Sequence, residues 1–493
     1  MNKEQFRCHP SIIAEKTSGV ITALFFIFIT SLDDIKGIIN EGFNGDNLFM
    51  VGITIGALTL VLTYNIIIWS KTFITIEENT IVIKRNTLNS KVNTFGINNI
   101  SNINLEQNIF ERIINKYKIK IDTDSLSTAN STDIEIVLSK KQAYEFKNKV
   151  ITLMNNENLD SGQINEDSMN TKENKIYLDD ENIEYDIVYS TNDILKHCFY
   201  NLSFLGFIFN LAMIAFVIFI SVTTDGTEGF IATAMLIATS CISILKLFLG
   251  DLFKYYNFSI KREKDKLYIS YGLFRIKKFT IPVNRINAIN IKQSLLSRVF
   301  HKYQSDLVTI GVGDDETEGS QILLSSNKET FIKNMKILLP EINMEECLNL
   351  ERESKNHHII KIADGIIGII ICSIILYAIY MIDTTVPLII YLFLDLLIFL
   401  YLVLYNYMSY ITRGFYMGDN KMSISWGVFA KKISIIKYEK IQYVNIRENP
   451  LSTKLNLCRG ELYILASLGN SIRPLGYYNH SLFEKLKEKI LLN

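Results

Sequence analysis

Six runs of apolar residues, arriving in pairs, constrain this chain more than any other feature of its sequence. They cover roughly 16–32, 48–69, 197–222, 228–250, 359–382 and 386–408. A membrane-spanning helix needs about 20 mostly apolar residues, and all but the first run reach that length. Asp33 and Asp34 follow the first run where a signal peptide would carry small residues, which favours the first arm of a hairpin. The pattern predicts three helical hairpins in a membrane.

The charges beside these runs predict an orientation. The connections within pairs are short and carry Asp or Glu without a cluster of basic residues. Basic residues lie at the other ends of the runs, at Arg7, Lys16, Lys71, Lys196, Lys254, Lys361 and Arg413. Cytoplasmic loops carry an excess of Lys and Arg. We therefore expect a multi-pass protein of the cell membrane with both termini and all polar domains in the cytoplasm.

A repeat links the polar regions. Residues Ile269–Ile291 align without a gap over Ile424–Ile446, and the shared positions include Gly272 with Gly427 and Lys277 with Lys432. A more divergent first copy places Gln107, Lys116 and Tyr117 opposite Gln293, Lys302 and Tyr303. Each copy reads as short β-branched or aromatic strands followed by one amphipathic helix. That order predicts an α+β domain in which a helix plugs a small barrel or sandwich.

The run from Gly272 to Phe300 resembles a known family. Its glycine, Ile-Pro-x-x-Arg-Ile and Gln-Ser-x-Leu-x-Arg-x-Phe elements are similar to the bacterial pleckstrin-homology-like (PH-like) domain of YdbS/YdbT-type membrane proteins. The three-unit layout extends the resemblance over nearly the whole chain, and the second copy matches best. The resemblance implies a seven-stranded bent barrel closed by a C-terminal helix, and a smaller single-domain membrane partner. It implies no catalytic residues.

Together these observations predict a multi-pass α-helical membrane protein with three α+β PH-like domains. The predicted hairpins occupy 1–70, 191–251 and 359–410. The predicted PH-like domains occupy 71–154, 252–340 and 411–493. An acidic linker is expected at 155–190 and a second linker at 341–358.

Two sets of charged residues are candidates for function. Lys261, Arg262, Lys264, Lys266, Arg275, Lys277 and Lys278 could form a surface for anionic lipid, at about 1 kcal/mol for each well-placed cation. The alternative is ordinary positive-inside bias on solvated strands. Asp395 lies near the middle of the sixth run, and an ionisable residue at membrane depth is a functional hypothesis by default. It could pair with a polar residue such as Asn65 or Asn210, or serve transport.

Other chemistry is poorly supported. The sequence contains no P-loop, GxSxG or HExxH motif, and the six cysteines are scattered without a CxxC pair, which argues against a disulfide framework or a zinc site. His357 and His358 are expected at the surface or the membrane interface, with no spaced carboxylate. We therefore expect no cofactor, no metal and no catalytic residue.

Three functions remain open. A non-enzymatic membrane-embedded scaffold, acting in envelope stress or in resistance to membrane-active compounds, fits the tandem domains best. A transporter or channel built from three hairpins is supported by Asp395 alone, and nothing nominates a nucleophile for a lipid-acting enzyme. The expected partners are membrane lipids and a smaller single-domain membrane protein, with no nucleic acid, and the sequence leaves the oligomeric state open.

Overall fold

A computed structural model defines two compact units in the chain. The first comprises Met1–Thr128, Thr132–Ile183 and Arg275–Lys278, and the second comprises Ala129–Ser131, Glu184–Phe274 and Phe279–Asn493. The structure describes residues 5–30, 45–77, 79–87, 89–123, 134–156, 184–203, 206, 208, 210, 212–215, 227–309, 320–354, 356–382, 387–466 and 471–492. Most of the predicted acidic linker and part of the third apolar run therefore lie outside the described residues.

The first unit contains four helices and seven strands in its described part. The helices are α1 (Ser11–Thr30), α2 (Gly45–Ser70), α3 (Ile109–Ile113) and α4 (Lys140–Asn156). The strands are β1 (Gln5–Phe6), β2 (Thr72–Glu77), β3 (Thr80–Arg85), β4 (Lys91–Gly96), β5 (Ile100–Gln107), β6 (Lys116–Thr123) and β7 (Ile134–Ser139).

Two antiparallel sheets enclose the core of the first unit. One has the order β1-β2-β3-β4, and the other contains β5, β6 and β7 in that order, with Ile276–Lys278 antiparallel to β5. Alternate apolar residues of the two strands, Ile103 and Leu105 of β5 and Ile119 and Ile121 of β6, are buried in this core, since successive side chains of a strand point to opposite faces. Phe146 and Val150 of α4 are fully buried against Ile119 and Ile136, so the amphipathic helix covers the open side of the sheets.

The second unit contains the remaining elements. Its described helices are α5 (Thr191–Asn201), α6 (Thr227–Lys254), α7 (Leu295–Val299), α8 (Lys328–Leu338), α9 (Met344–Cys347), α10 (His357–Ile382), α11 (Leu388–Thr412), α12 (Pro450–Lys454) and α13 (His480–Leu492). Its first strands are β8 (Ile187–Val188), β9 (Ser259–Glu263), β10 (Lys266–Tyr271), β11 (Ile276–Pro282, whose first three residues belong to the first unit), β12 (Ala288–Gln293), β13 (Lys302–Val308) and β14 (Ser320–Asn327). The later strands are β15 (Glu351–Arg352), β16 (Gly414–Met417), β17 (Lys421–Gly427), β18 (Lys431–Lys437), β19 (Ile441–Arg447), β20 (Leu457–Ile464) and β21 (Ile472–Asn479).

The second and third repeats share one sheet. In the described part of the unit, seven strands form a sheet of order β14-β13-β12-β18-β17-β16-β15. Strand β12 of the second repeat pairs antiparallel with β18 of the third, with Ile289 opposite Ile435 and Ile291 opposite Ile433. Strands β19, β20 and β21 form a separate three-stranded sheet. An edge strand of each repeat therefore finds its backbone hydrogen-bond partners in the other repeat.

The second and third repeats also contribute residues to each other's hydrophobic cores. Ile433 and Ile435 of the third repeat are buried in the core of the second, beside Phe331 of α8. Ala288 and Val308 of the second repeat are buried in the core of the third. Each core is therefore completed by residues of the other repeat.

The predicted closed barrel is wrong for the described strands. The sequence suggested a barrel within each copy, but β12 leaves its own repeat's first strands and pairs with β18 instead. The alternation of apolar residues fixes which face of a strand is buried, and it carries no information on which strand is the neighbour. The predicted amphipathic helices are present, and each buries its apolar face.

Two described helices are long and apolar enough to cross a membrane. They are α10 and α11, each with a mean hydropathy of 2.6, and their apolar side chains lie exposed along almost the whole length. The predicted segments near the N-terminus and at 228–250 are helical as well, as α1, α2 and α6. Six membrane crossings remain a prediction, and two candidate spanning helices are what the described residues provide.

Candidate binding cleft and membrane junction

The β9–β10 hairpin carries four of the seven predicted anion-binding residues, namely Lys261, Arg262, Lys264 and Lys266. Lys264 occupies the turn with a φ of 52°. Arg262 is engaged: its Nη1 donates to Glu341 Oε2 at 2.8 Å and its Nη2 donates to Glu341 Oε1. The same guanidinium lowers the pKa of the Glu341 carboxyl. Arg262 thus ties the hairpin to the segment after α8.

The other three predicted residues belong to the first unit and are also engaged. Arg275 Nη2 donates to the buried Glu106 at 2.5 Å, and Lys277 lies opposite Glu106 in the strand ladder. Lys278 Nζ donates to the Tyr144 hydroxyl at 3.1 Å. Arg262, Arg275 and Lys278 therefore have internal partners, and lipid binding by the set of seven remains a prediction.

Asp395 makes its contact within its own hairpin. Ser373 Oγ of α10 donates to the two carboxylate oxygens of Asp395 on α11, at 3.0 and 2.9 Å. The sequence allowed Asp395 to pair with a polar residue of another apolar run, such as Asn65 or Asn210, and the polar residue that it contacts in the structure is Ser373. An interhelical hydrogen bond of this kind in a membrane contributes about 1 kcal/mol.

A buried carboxylate joins the apolar hairpin to the third repeat. The Glu353 side chain is fully buried just before α10, and its Oε1 accepts from the Tyr477 backbone N–H at 2.6 Å and from Arg413 Nη1 at 3.2 Å. Burial raises the pKa of Glu353, and Arg413 opposes that rise. Arg413 follows α11 directly, so one carboxylate ties both ends of the hairpin to strand β21.

His357 is buried at this junction, and His358 beside it is partly exposed. His357 Nδ1 is 3.2 Å from Glu353 Oε2, and the His357 ring is fully buried between the rings of Tyr410 and Tyr477. The sequence analysis placed the two histidines at the surface or the membrane interface without a spaced carboxylate. The second part is wrong, because Glu353 lies four residues before His357 and contacts its ring. We call Glu353, His357, Arg413 and Tyr477 the membrane junction.

A glycine makes the membrane junction possible. A Cβ atom on Gly476 would lie 1.8 Å from Glu353 Oε1, which is far inside van der Waals contact. Only a residue without a side chain lets the carboxylate reach the β21 backbone.

A cavity of about 780 Å³ opens between the second and third repeats, within the second unit. Its floor is formed by apolar residues of both repeats, including Ile289, Leu339 and Ile435. Its rim carries charges of both signs: Glu341, Glu346, Asp419, Glu439, Lys421 and Lys437. We call it the inter-repeat cleft. Its volume is that of a typical ligand site.

A buried polar network underlies the cleft where β12 meets β18. Ser434 Oγ donates to Asn290 Oδ1 at 2.9 Å, and Arg473 Nε donates to Ser434 Oγ at 2.9 Å. Asp306 accepts from Asn290 Nδ2 at 3.4 Å and lies 3.3 Å from Lys292 Nζ. Burial raises the pKa of Asp306 and lowers that of Arg473 to about 10. Because buried polar groups need partners, this network fixes the register of the shared strands.

Sequence reasoning missed the cleft, the network and the membrane junction. Each is assembled from residues more than a hundred positions apart, such as Asn290 with Ser434 and Glu353 with Tyr477. The only local signal was the spacing of four between Glu353 and His357. Because α10 begins at His357, helical periodicity alone does not bring the two side chains together.

Comparisons with known proteins support the repeat. The family model for the bacterial PH domain matches three times, over residues 24–154, 207–329 and 362–491. A transmembrane protein of Bacillus subtilis strain 168, UPF0699 transmembrane protein YdbT, is 21% identical over 503 aligned positions covering 93% of this chain and 90% of that protein. No solved structure matches. The three family matches cover most of the chain, so this protein is a member of the bacterial PH domain family.

Proposed function

We propose that this protein is a non-enzymatic membrane-anchored scaffold whose second and third PH domains together bind a segment of a protein partner. The inter-repeat cleft is the observation that carries the proposal. The partner suggested by the family resemblance is a smaller membrane protein with a single PH-like domain. We place the domains on the cytoplasmic side, as the distribution of Lys and Arg indicates.

The chemistry of the cleft favours a peptide segment. Apolar residues form the floor, and hydrogen-bonding groups of both repeats form the rim, an arrangement that suits a chain with alternating apolar and charged side chains. Tyr416 and Lys421 already order this rim. The Tyr416 hydroxyl donates to Glu346 at 3.3 Å, and Lys421 Nζ reaches the Glu341 carbonyl at 3.4 Å. An ordered rim reduces the entropy that binding must overcome.

The membrane junction supports a scaffold because it holds the cleft at a defined position near the bilayer. Glu353 and Arg413 lie at the two ends of the α10–α11 hairpin and bind the third repeat together. A partner in the same membrane would meet this cleft at a high effective concentration.

Site-specific photocrosslinking in the native membrane tests the proposal. A photoreactive residue at Asn420, exposed on the cleft rim, should capture one discrete membrane protein. The matched control is the same residue at Lys487, exposed on α13 outside the cleft. Capture of the same partner equally from both positions, or no capture from Asn420, would contradict the proposed cleft.

The contact of Asp395 with Ser373 supports a packing role for this acid. Asp395→Asn retains a side chain that Ser373 can bond, so we expect normal protein level and normal partner capture from Asn420. Loss of cellular function at normal protein level and normal capture would favour transport through the hairpins instead.

A further inference from the structure

Three residue types that bind metals meet on the third repeat. They are Glu448, at the end of the β19 segment, Cys458 in β20 and His480 at the first position of α13. One ligand atom from each lies within 4.8 Å of the others. Glu448 Oε1 is 2.9 Å from Cys458 Sγ and 3.9 Å from His480 Nε2.

In the other two repeats, the residue aligned with Glu448 makes an ordinary hydrogen bond to the backbone. In both of them a glutamine side chain donates to a backbone carbonyl: Gln107 to Lys116 and Gln293 to Lys302, each at 2.9 Å. The ungapped register that aligns Gln293 places Glu448 at the same position in the third repeat. A carboxylate cannot donate that bond. Glu448 faces the thiol and the imidazole instead.

The positions of Cys458 and His480 also carry a metal-binding residue type in the third repeat and a different residue in the other two. The same register places Cys458 where the second repeat has Tyr303 and the first has Tyr117. The closing helix begins with Lys140 in the first repeat, with Lys328 in the second and with His480 in the third. In these alignments Gln, Tyr and Lys are thus replaced by Glu, Cys and His in one repeat only, and the three replacements converge in space.

We propose that Glu448, Cys458 and His480 bind a zinc ion, with water in the fourth position. Thiolate, imidazole and carboxylate together suit Zn²⁺, whereas Mg²⁺ and Ca²⁺ prefer oxygen ligands alone. Tetrahedral bonds of about 2.0–2.3 Å place ligand atoms roughly 3.3–3.8 Å apart, close to the separations present here. Small side-chain rotations complete the site.

A neighbouring carboxylate orients the histidine. His480 Nδ1 is 3.4 Å from Glu484 Oε1 on the next turn of α13, which leaves Nε2 directed toward Glu448. Metal-binding histidines usually donate their second N–H to such a group, and losing it weakens metal binding about 10- to 100-fold.

Zinc would replace the proton of the Cys458 thiol. Binding of Zn²⁺ therefore releases this proton to solvent, and the apparent affinity increases with pH. The bound ion would tie the β19 segment, β20 and α13 together.

Cobalt substitution in the full-length purified protein tests the site. Co²⁺ should give the charge-transfer absorption of a cobalt–thiolate bond, and Zn²⁺ should abolish it at one equivalent. The absorption should disappear in Cys458→Ser and persist in Cys347→Ser, a control at another buried thiol. No absorption in the unaltered protein, or its persistence in Cys458→Ser, would overturn the proposal.

Two variants at exposed positions keep the test valid if Cys458→Ser fails to fold. His480→Gln should lose the cobalt absorption and the rise in melting temperature that Zn²⁺ gives the unaltered protein. Glu484→Gln should weaken zinc binding about 10- to 100-fold, whereas Glu488→Gln, one turn further along α13 and exposed, should not change it. Equal zinc affinity in His480→Gln and the unaltered protein would show that the ion binds elsewhere.

Discussion

Single side chains determine how the third repeat is held. Glu353 and Asp306 are both buried carboxylates with a raised pKa, and each is compensated by a cation, Arg413 and Lys292 respectively. Removing one partner of such a buried pair is more destabilising than the pair is stabilising, since the other charge is left without compensation. These positions should therefore be sensitive to substitution although neither lies on a surface.

Gly476→Ala should destabilise the protein by about 3 kcal/mol, because the new Cβ would occupy the position of the Glu353 carboxylate. The thermal unfolding midpoint in detergent measures this. Gly96→Ala is the control, since its Cβ would meet only Asn99 at 3.5 Å. We expect that change to stay within about 0.5 kcal/mol. Similar midpoints for the two variants would contradict the close packing of the membrane junction.

Asp306→Asn should remove a pH dependence of stability. Because burial raises its pKa above the ordinary 3.8, the folded protein holds a proton at Asp306 that the unfolded chain has already lost. Stability therefore increases as pH falls from the folded pKa toward 3.8, and this contribution is absent in the variant.

The measurement for Asp306 is the unfolding midpoint across acidic pH for the unaltered and variant proteins. Asp419→Asn is the control, because the Asp419 side chain is fully exposed. A pH slope that is unchanged in Asp306→Asn would show that other groups produce it.

At the scale of elements, the strands of one repeat complete the sheet of the next. The pairing of β12 with β18 runs over five residue pairs, from Ile289 with Ile435 to Gln293 with Lys431. The short helices after β5, β12 and β19 begin in the same way in the three repeats. In each, the N-cap side chain accepts from the backbone N–H three residues later, at Asn108, Ser294 and Asn449.

A disulfide test checks the register of the shared sheet. Lys292 and Lys432 are directly opposite, so the double variant Lys292→Cys, Lys432→Cys should crosslink on mild oxidation. A protease site is also inserted at residues 313–318. After cleavage at this site, the disulfide should keep the two fragments joined on a non-reducing gel. The pair Lys292→Cys, Ser434→Cys is diagonal, roughly 7–8 Å apart, and should not crosslink. Efficient crosslinking of the diagonal pair alone would contradict the register.

The sequence patterns predicted strands and helices that the structure contains, but they did not predict which strands pair with each other. The alternation around Ile269 and Ile424, and the apolar spacing of Phe331 and Met335, predicted strands and closing helices that the structure contains. The pairing of β12 with β18 depends on contacts between chain segments about 145 residues apart, which no local periodicity encodes. The membrane junction was missed for the same reason, since Tyr477 comes from the last sheet.

At the scale of the whole molecule, the segregation of charge predicts that every PH domain lies on one side of the membrane. Basic residues lie at the domain ends of the apolar runs, and acids lie in the short connections. This arrangement requires an even number of crossings between each domain and the next.

Cysteine labelling in intact cells tests that orientation. Lys141→Cys, Lys264→Cys and Lys487→Cys place one thiol on each domain, and a membrane-impermeant maleimide should label them only after permeabilisation. Thr384→Cys, in the predicted external connection 383–386, should be labelled in intact cells. Labelling of any domain position before permeabilisation would contradict the predicted orientation.

The shared sheet also decides how this protein can be divided for experiment. A fragment ending near residue 340 would lose β18 and leave one edge of β12 without hydrogen-bond partners, an open template for aggregation. It would also lack Ile433 and Ile435 from its interior. We therefore expect the second or third PH domain to be unstable when isolated, so a fragment for binding studies should keep these two repeats together.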